Sequence, residues 1–210
     1  MSGFPNVLGS IDGTHVQLIP PSETEHVFRN RKHTHSINVQ VVCDSTTLIT
    51  NVVAKYPGSV HDAFIFRNCS LFQRMRDGQY GDGWLLGDRA YPLHPWIMTP
   101  VQNPRSLAEE RYNQAHCSTR NVIERTFGLL KSRFRVLDRT GGALLYSPEK
   151  VCQIVVACCM LHNIAVRAGM PVEAIEELMA EDEDPGQNPE PVQTGDGRQT
   201  RDLLIRTYFS

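Results

Sequence analysis

Three carboxylates in this chain have the surroundings that acid chemistry requires. Asp12 lies in Leu8-Gly9-Ser10-Ile11-Asp12-Gly13-Thr14-His15, where Leu8, Val16, Leu18 and Ile19 read as a buried strand closed by Pro20-Pro21. A charge there is costly unless a cation or hydrogen-bond donors compensate it. The alternative is a turn aspartate before Gly13, as in Asp-Gly hairpins. Trp84-Leu85-Leu86-Gly87-Asp88 is a short apolar run that delivers Asp88 at the C-terminal end of a strand, where open α/β sheets place ligands. Glu124 lies at the edge of a helical stripe in which Ile123, Phe127, Leu130, Phe134 and Leu137 recur every three or four residues.

Two strand aspartates followed by a helix glutamate, with 35 residues between Asp88 and Glu124, form the pattern of the DDE nucleases and transposases. Further motifs sharpen this: Asn30-Arg31-Lys32, Ser36-Ile37-Asn38-Val39-Gln40, Pro57-Gly58-Ser59-Val60-His61-Asp62, Gly87-Asp88 with Tyr91-Pro92, and Asn121-Val122-Ile123-Glu124-Arg125-Thr126-Phe127-Gly128. Together they resemble the PIF/Harbinger transposase family over about residues 7 to 168. The resemblance implies an α/β, ribonuclease H-like fold, a mixed β-sheet flanked by helices. Asp12 would lie on the central strand, Asp88 on its neighbour and Glu124 on a helix nearby. It also implies a metal-proximal role for Asp62, although a first-turn dipole or capping role would explain that residue by itself. After Asp88 the chain has Arg89-Ala90 where the family commonly shows small residues, so Arg89 could crowd the site or pair with Asp88.

Carboxylates that converge without a base repel and raise one another's pKa, a penalty that a divalent cation removes. Magnesium and manganese suit an all-oxygen ligand set. Two such ions about 3.5 to 4 Å apart would activate a water or a 3′-hydroxyl for in-line attack on a phosphodiester. The expected function is a divalent-metal-dependent endonuclease acting on DNA. Its catalytic residues would be Asp12, Asp88 and Glu124, and its metal ligands these three with Asp62. The alternative is an inactive, domesticated transposase domain that binds DNA or protein. Arg31, Lys32, Arg120, Lys131 and Arg135 are the candidate phosphate contacts; solvated faces would place them similarly. The resemblance further implies a Myb-like DNA-binding partner and residence in nucleus and cytoplasm. The family's helical N-terminal DNA-binding region is expected to be absent.

The elements that must position these groups follow from pattern. Ile37 to Val42 and Leu48 to Ala54 form a hairpin turned at Asp44, which keeps Asp44 out of the site. A helix runs from about Val60 to Met75, and prolines keep residues 92 to 104 irregular. Leu107 to Ala115 and Thr119 to about Leu137 read as two helices. On the second, Arg120, Glu124, Gly128, Lys131 and Arg135 share a stripe. Ser147-Pro148 starts a helix, apolar almost all round and therefore core, that Gly169 and Pro171 stop. Residues 1 to 170 make the nuclease domain. Residues 171 to 210 read as an acidic, largely disordered tail, in which Leu203 to Phe209 could form a short docking helix.

Composition closes off other classes. No apolar run reaches the ~18 residues of a membrane span, and the N-terminus has neither the basic region nor the apolar core of a signal peptide. Six cysteines without paired C-x-x-C spacing read as free, buried thiols. His26, His33 and His35 do not complete a zinc set. The net charge of -2 divides into +5 over residues 1 to 170 and -7 beyond, so the globular part is basic enough to meet a polyanion. Motifs for serine hydrolases, phosphate-binding loops and zinc proteases are absent.

Overall fold

The computed structural model describes residues 3–171 and 193–210. Its centre is a five-stranded mixed sheet in the order β3-β2-β1-β4-β5. β1 (Val7–Gln17) and β2 (Ser36–Cys43) pair antiparallel, with Asp12 opposite Val41 and Gly13 opposite Gln40. β3 (Ile49–Pro57) completes the hairpin. Asp44 makes its turn: Oδ1 accepts from the amides of Thr46 and Leu48 at 2.8 and 3.0 Å. β4 (Trp84–Leu86) runs parallel to β1, with Ser10 opposite Leu86, and β5 (Ile97–Met98) runs parallel to β4. Asp12 is therefore on the central strand, and Asp88 leaves the end of its neighbour.

Helices cover both faces. Between β1 and β2 comes a single short helix, α1 (Glu25–Phe28). One sheet face packs Val16, Val39, Val41 and Cys43 against Ile123 and Leu130 of α4 (Leu107–Arg133) and Val151, Val155 and Cys159 of α5 (Pro148–Arg167). The other packs Ile11, Val42 and Leu85 against Phe66 of α2 (Asp62–Arg67) and Leu71 and Met75 of α3 (Ser70–Arg76). A third cluster gathers Phe4, Leu86, Met98 and Tyr112 around Leu204, Ile205 and Phe209. The last three belong to or follow α6 (Gly195–Tyr208).

Several elements differ from their sequence patterns. The helix expected over 60–75 is two, and at the break side chains share carbonyls with the backbone: Asn68 Nδ2 donates to the Phe64 carbonyl and Cys69 Sγ to that of Phe66. β5 has only two residues, too few for a periodicity to register. The two helices expected over 107–137 are one 27-residue α4, capped by Ser106. α5 is buried on one side only, since it meets the sheet from outside; Met160, Leu161 and Ile164 are exposed. By length and composition α5 could cross a bilayer, but its buried face lies on the sheet. The terminal helix is longer than Leu203–Phe209, and its target is the β4–β5 edge with α4. The acidic and Pro-rich stretch 172–192 lies outside the described residues.

Candidate active site

Asp12 projects from mid-β1, and its two oxygens have different partners. Oδ1 accepts from the Gly13 amide at 2.8 Å, and Oδ2 accepts from Arg120 Nη1 at 2.8 Å. Arg120 Nη2 donates to Glu124 Oε1 at 2.9 Å. Arg120 and Glu124 are i,i+4 neighbours on α4, so one turn of a long helix brings both groups to the central strand. A single guanidinium thus spans the two acids.

Asp88 lies two residues beyond β4. Its Oδ1 accepts from the Ala90 amide at 2.9 Å, a local turn that fixes the carboxylate at the strand end. A Cβ at Gly87 would come within 3.1 Å of Tyr91, so a larger residue there would need Tyr91 to shift by a few tenths of an ångström. Arg89 is exposed, and no ion pair joins it to Asp88 among the described residues.

Asp62 opens α2, and its carboxylate turns to the sheet. Oδ1 accepts from Asn38 Nδ2 at 2.8 Å, and the same amide group donates to the Val60 carbonyl at 2.9 Å. A Cβ on Gly13 would fall 2.5 Å from Asp62 Oδ1. The glycine after Asp12 therefore makes room for the carboxylate of Asp62. Neither Asn38 nor Gly13 was singled out as a site residue by pattern, yet a signal existed. Ser36, Asn38 and Gln40 put polar groups at alternate positions of a fully buried strand, and such groups require partners.

The electrostatics tie these residues into one cluster. Burial pushes the Asp12 carboxyl up to about 6; Arg120 opposes this and Asp88 adds to it. Asp62 is raised by burial, against its Asn38 bond, with Asp12 contributing. Burial also raises Asp88, against the Ala90 amide and Arg120, with Asp62 contributing. The fully buried Tyr91 hydroxyl has no hydrogen-bond partner and is raised well above its usual value by burial and then by Asp62, Asp12 and Asp88. For Arg120, burial disfavours the charge, but Asp12 and Glu124 outweigh it and its pKa rises.

A hard divalent cation fits this donor set by chemistry: the side chains are oxygen ligands, and the three aspartates are held in surroundings that penalise uncompensated charge. No three Asp, Glu, His or Cys side chains among the described residues stand together as a ready ligand group. Of the candidate phosphate contacts, Arg31 comes close to the cluster, while Lys131 and Arg135 lie near Asp138. Arg31 and Lys32 are exposed on the loop before β2, with Arg31 Nη2 2.7 Å from His61 Nδ1, next to Asp62. Half-buried Lys131 and exposed Arg135 lie further along the chain from Glu124.

Comparison with known proteins bears on the family of this chain. The family described as DDE superfamily endonuclease matches residues 11–163. A human protein named "Putative nuclease HARBI1" is 40% identical over 212 residues, covering all of this chain and 61% of the human protein. The Xenopus laevis protein of that name is 37% identical over 211 residues, covering all of this chain and 60% of its own length. An Arabidopsis thaliana protein named ALP1-like is 27% identical over 184 residues, 79% of this chain and 44% of the relative. The chain thus spans about 60% of the length of the vertebrate relatives it matches. No solved structure matches it.

Proposed function

We propose an activity for this chain from one premise: it belongs to the DDE superfamily of endonucleases, and within it to the Harbinger-derived nucleases. The proposed function is divalent-metal-dependent hydrolysis of DNA phosphodiester bonds, with Asp12, Asp88 and Glu124 catalytic and Asp62 a further metal ligand. The observation that carries it is that Asp12, Asp62 and Asp88, from β1, α2 and the β4 end, are each buried and raised in part by another's charge, while Arg120 joins Asp12 to Glu124 of α4. Two magnesium or manganese ions would supply the activated water or hydroxyl and the neutralised leaving oxygen. The chain's own part is to hold the acids. Gly13 and Ala90 amides and Asn38 each fix one carboxylate, while α4 sets Glu124 against the strand.

DNA is the proposed substrate, with Arg31, Lys32, Lys131 and Arg135 as phosphate contacts. A Myb-like partner and residence in nucleus and cytoplasm belong to the same proposal, as does a nuclease unit spanning residues 1–170. One observation favours the second reading, a module that binds without cutting: Arg120 already compensates Asp12 and Glu124. Incubation of supercoiled plasmid with the chain and Mn²⁺, beside Asp88→Asn, separates the two. The nuclease reading expects nicked or linear product from the unaltered chain alone, and none in EDTA. Binding to DNA without any product would favour the module.

A further inference from the structure

We propose that Arg120 is a built-in counter-ion: it holds the acidic site together before metal arrives, and its guanidinium leaves the gap between Asp12 and Glu124 when a divalent cation enters. This deepens the nuclease reading and rests on Asp12 and Glu124 being metal ligands.

The bonding pattern is that of an exchange. Asp12 gives Oδ1 to the Gly13 amide, so the oxygen turned toward Glu124 is Oδ2, the one that Arg120 holds at 2.8 Å. Glu124 offers Oε1 to the other Nη at 2.9 Å. The fixed fork of a guanidinium spans two acceptors in one plane, and here the acceptors belong to different carboxylates on different elements. A cation that takes Asp12 Oδ2 and Glu124 Oε1 competes with the fork for the same two oxygens.

Shielding makes the compensation necessary. The side chains of Arg120 and Asp12 are 18% and 21% exposed, and that of Glu124 is 37% exposed. Removing one member of a shielded pair leaves the other uncompensated. Arg120 therefore stabilises the metal-free chain at the expense of metal affinity, because each metal bound must first release it.

The test is Mn²⁺ binding by the full chain, read as free Mn²⁺ in electron paramagnetic resonance, for the unaltered protein, Arg120→Gln and Arg120→Lys. Melting in EDTA is recorded in parallel. The proposal expects Arg120→Gln to melt lower without metal and to bind Mn²⁺ at least ten-fold tighter, with Arg120→Lys between. Equal or weaker binding by Arg120→Gln, with the unaltered chain binding normally, overturns the counter-ion role and leaves the nuclease reading intact. No binding by any of the three overturns both. Should Arg120→Gln not fold, side-chain nitrogen resonances of Arg120 in the unaltered chain serve instead. Saturating Mg²⁺ should shift them and speed rotation of the guanidinium; signals that stay unchanged while Mg²⁺ raises the melting temperature refute the exchange.

Discussion

Asp12→Asn isolates the electrostatics of the site without any metal. Burial and Asp88 disfavour the Asp12 carboxylate more than Arg120 favours it, which raises its pKa from 3.8 to about 6. Between these values the folded chain binds a proton that the unfolded chain has released. The stability this group contributes is therefore full below the unfolded pKa near 4 and is lost as pH rises through about 6. Above that, the ionised group costs the fold about 3 kcal/mol, from about 1.4 kcal/mol per pKa unit. Asparagine has the shape of the protonated acid and no charge to hide. In EDTA, Asp12→Asn should match the unaltered chain near pH 4 and exceed it at pH 8 by up to about 3 kcal/mol, or about 6 to 12 °C in Tm for a chain of this size. Thermal or urea denaturation from pH 4 to 8 measures the gap. A variant less stable than the unaltered chain at pH 8, or a gap that does not close on acidification, would refute the reasoning.

Other positions give equally definite outcomes. Asn38→Ala removes the donor shared by Asp62 and Val60; urea denaturation should show a loss of about 1–3 kcal/mol. Tyr91→Phe removes a buried hydroxyl that has no partner, so the metal-free chain should lose no stability and gain up to about 1 kcal/mol; a loss above about 2 kcal/mol would reveal a bond the hydroxyl makes. Phe209 packs its ring 5.6 Å from those of both Phe4 and Tyr112, and Phe209→Ala should cost about 3–5 kcal/mol by the same measurement, since the terminal helix is part of the fold.

Strands β1 to β4 and the apolar stripe of α4 were legible because their signals are local. Asp12 in an apolar alternation, Asp88 after Leu85-Leu86, and the Ile123-Phe127-Leu130 stripe each identify an element from its own residues. What was not legible depended on contacts between distant segments. Asn38 and Gly13 matter only because α2 delivers Asp62 against β1, 24 residues from Asn38. Arg120 read equally as a phosphate contact or a solvated charge; its position 108 residues from Asp12 in sequence hid the ion pair. The terminal helix looked like a tail because its apolar residues are few, yet Leu204, Ile205 and Phe209 all meet one cluster. α5 erred the other way: apolar composition suggested burial all round, while the sheet covers one side.

The most direct measurement of the central claim, that these acids form a divalent metal site, is an anomalous difference map from crystals soaked in Mn²⁺. The account predicts density bounded by Asp12, Asp88 and Glu124, with Asp62 at its edge and the Arg120 guanidinium withdrawn. Density only elsewhere on the chain at saturating Mn²⁺ would contradict it.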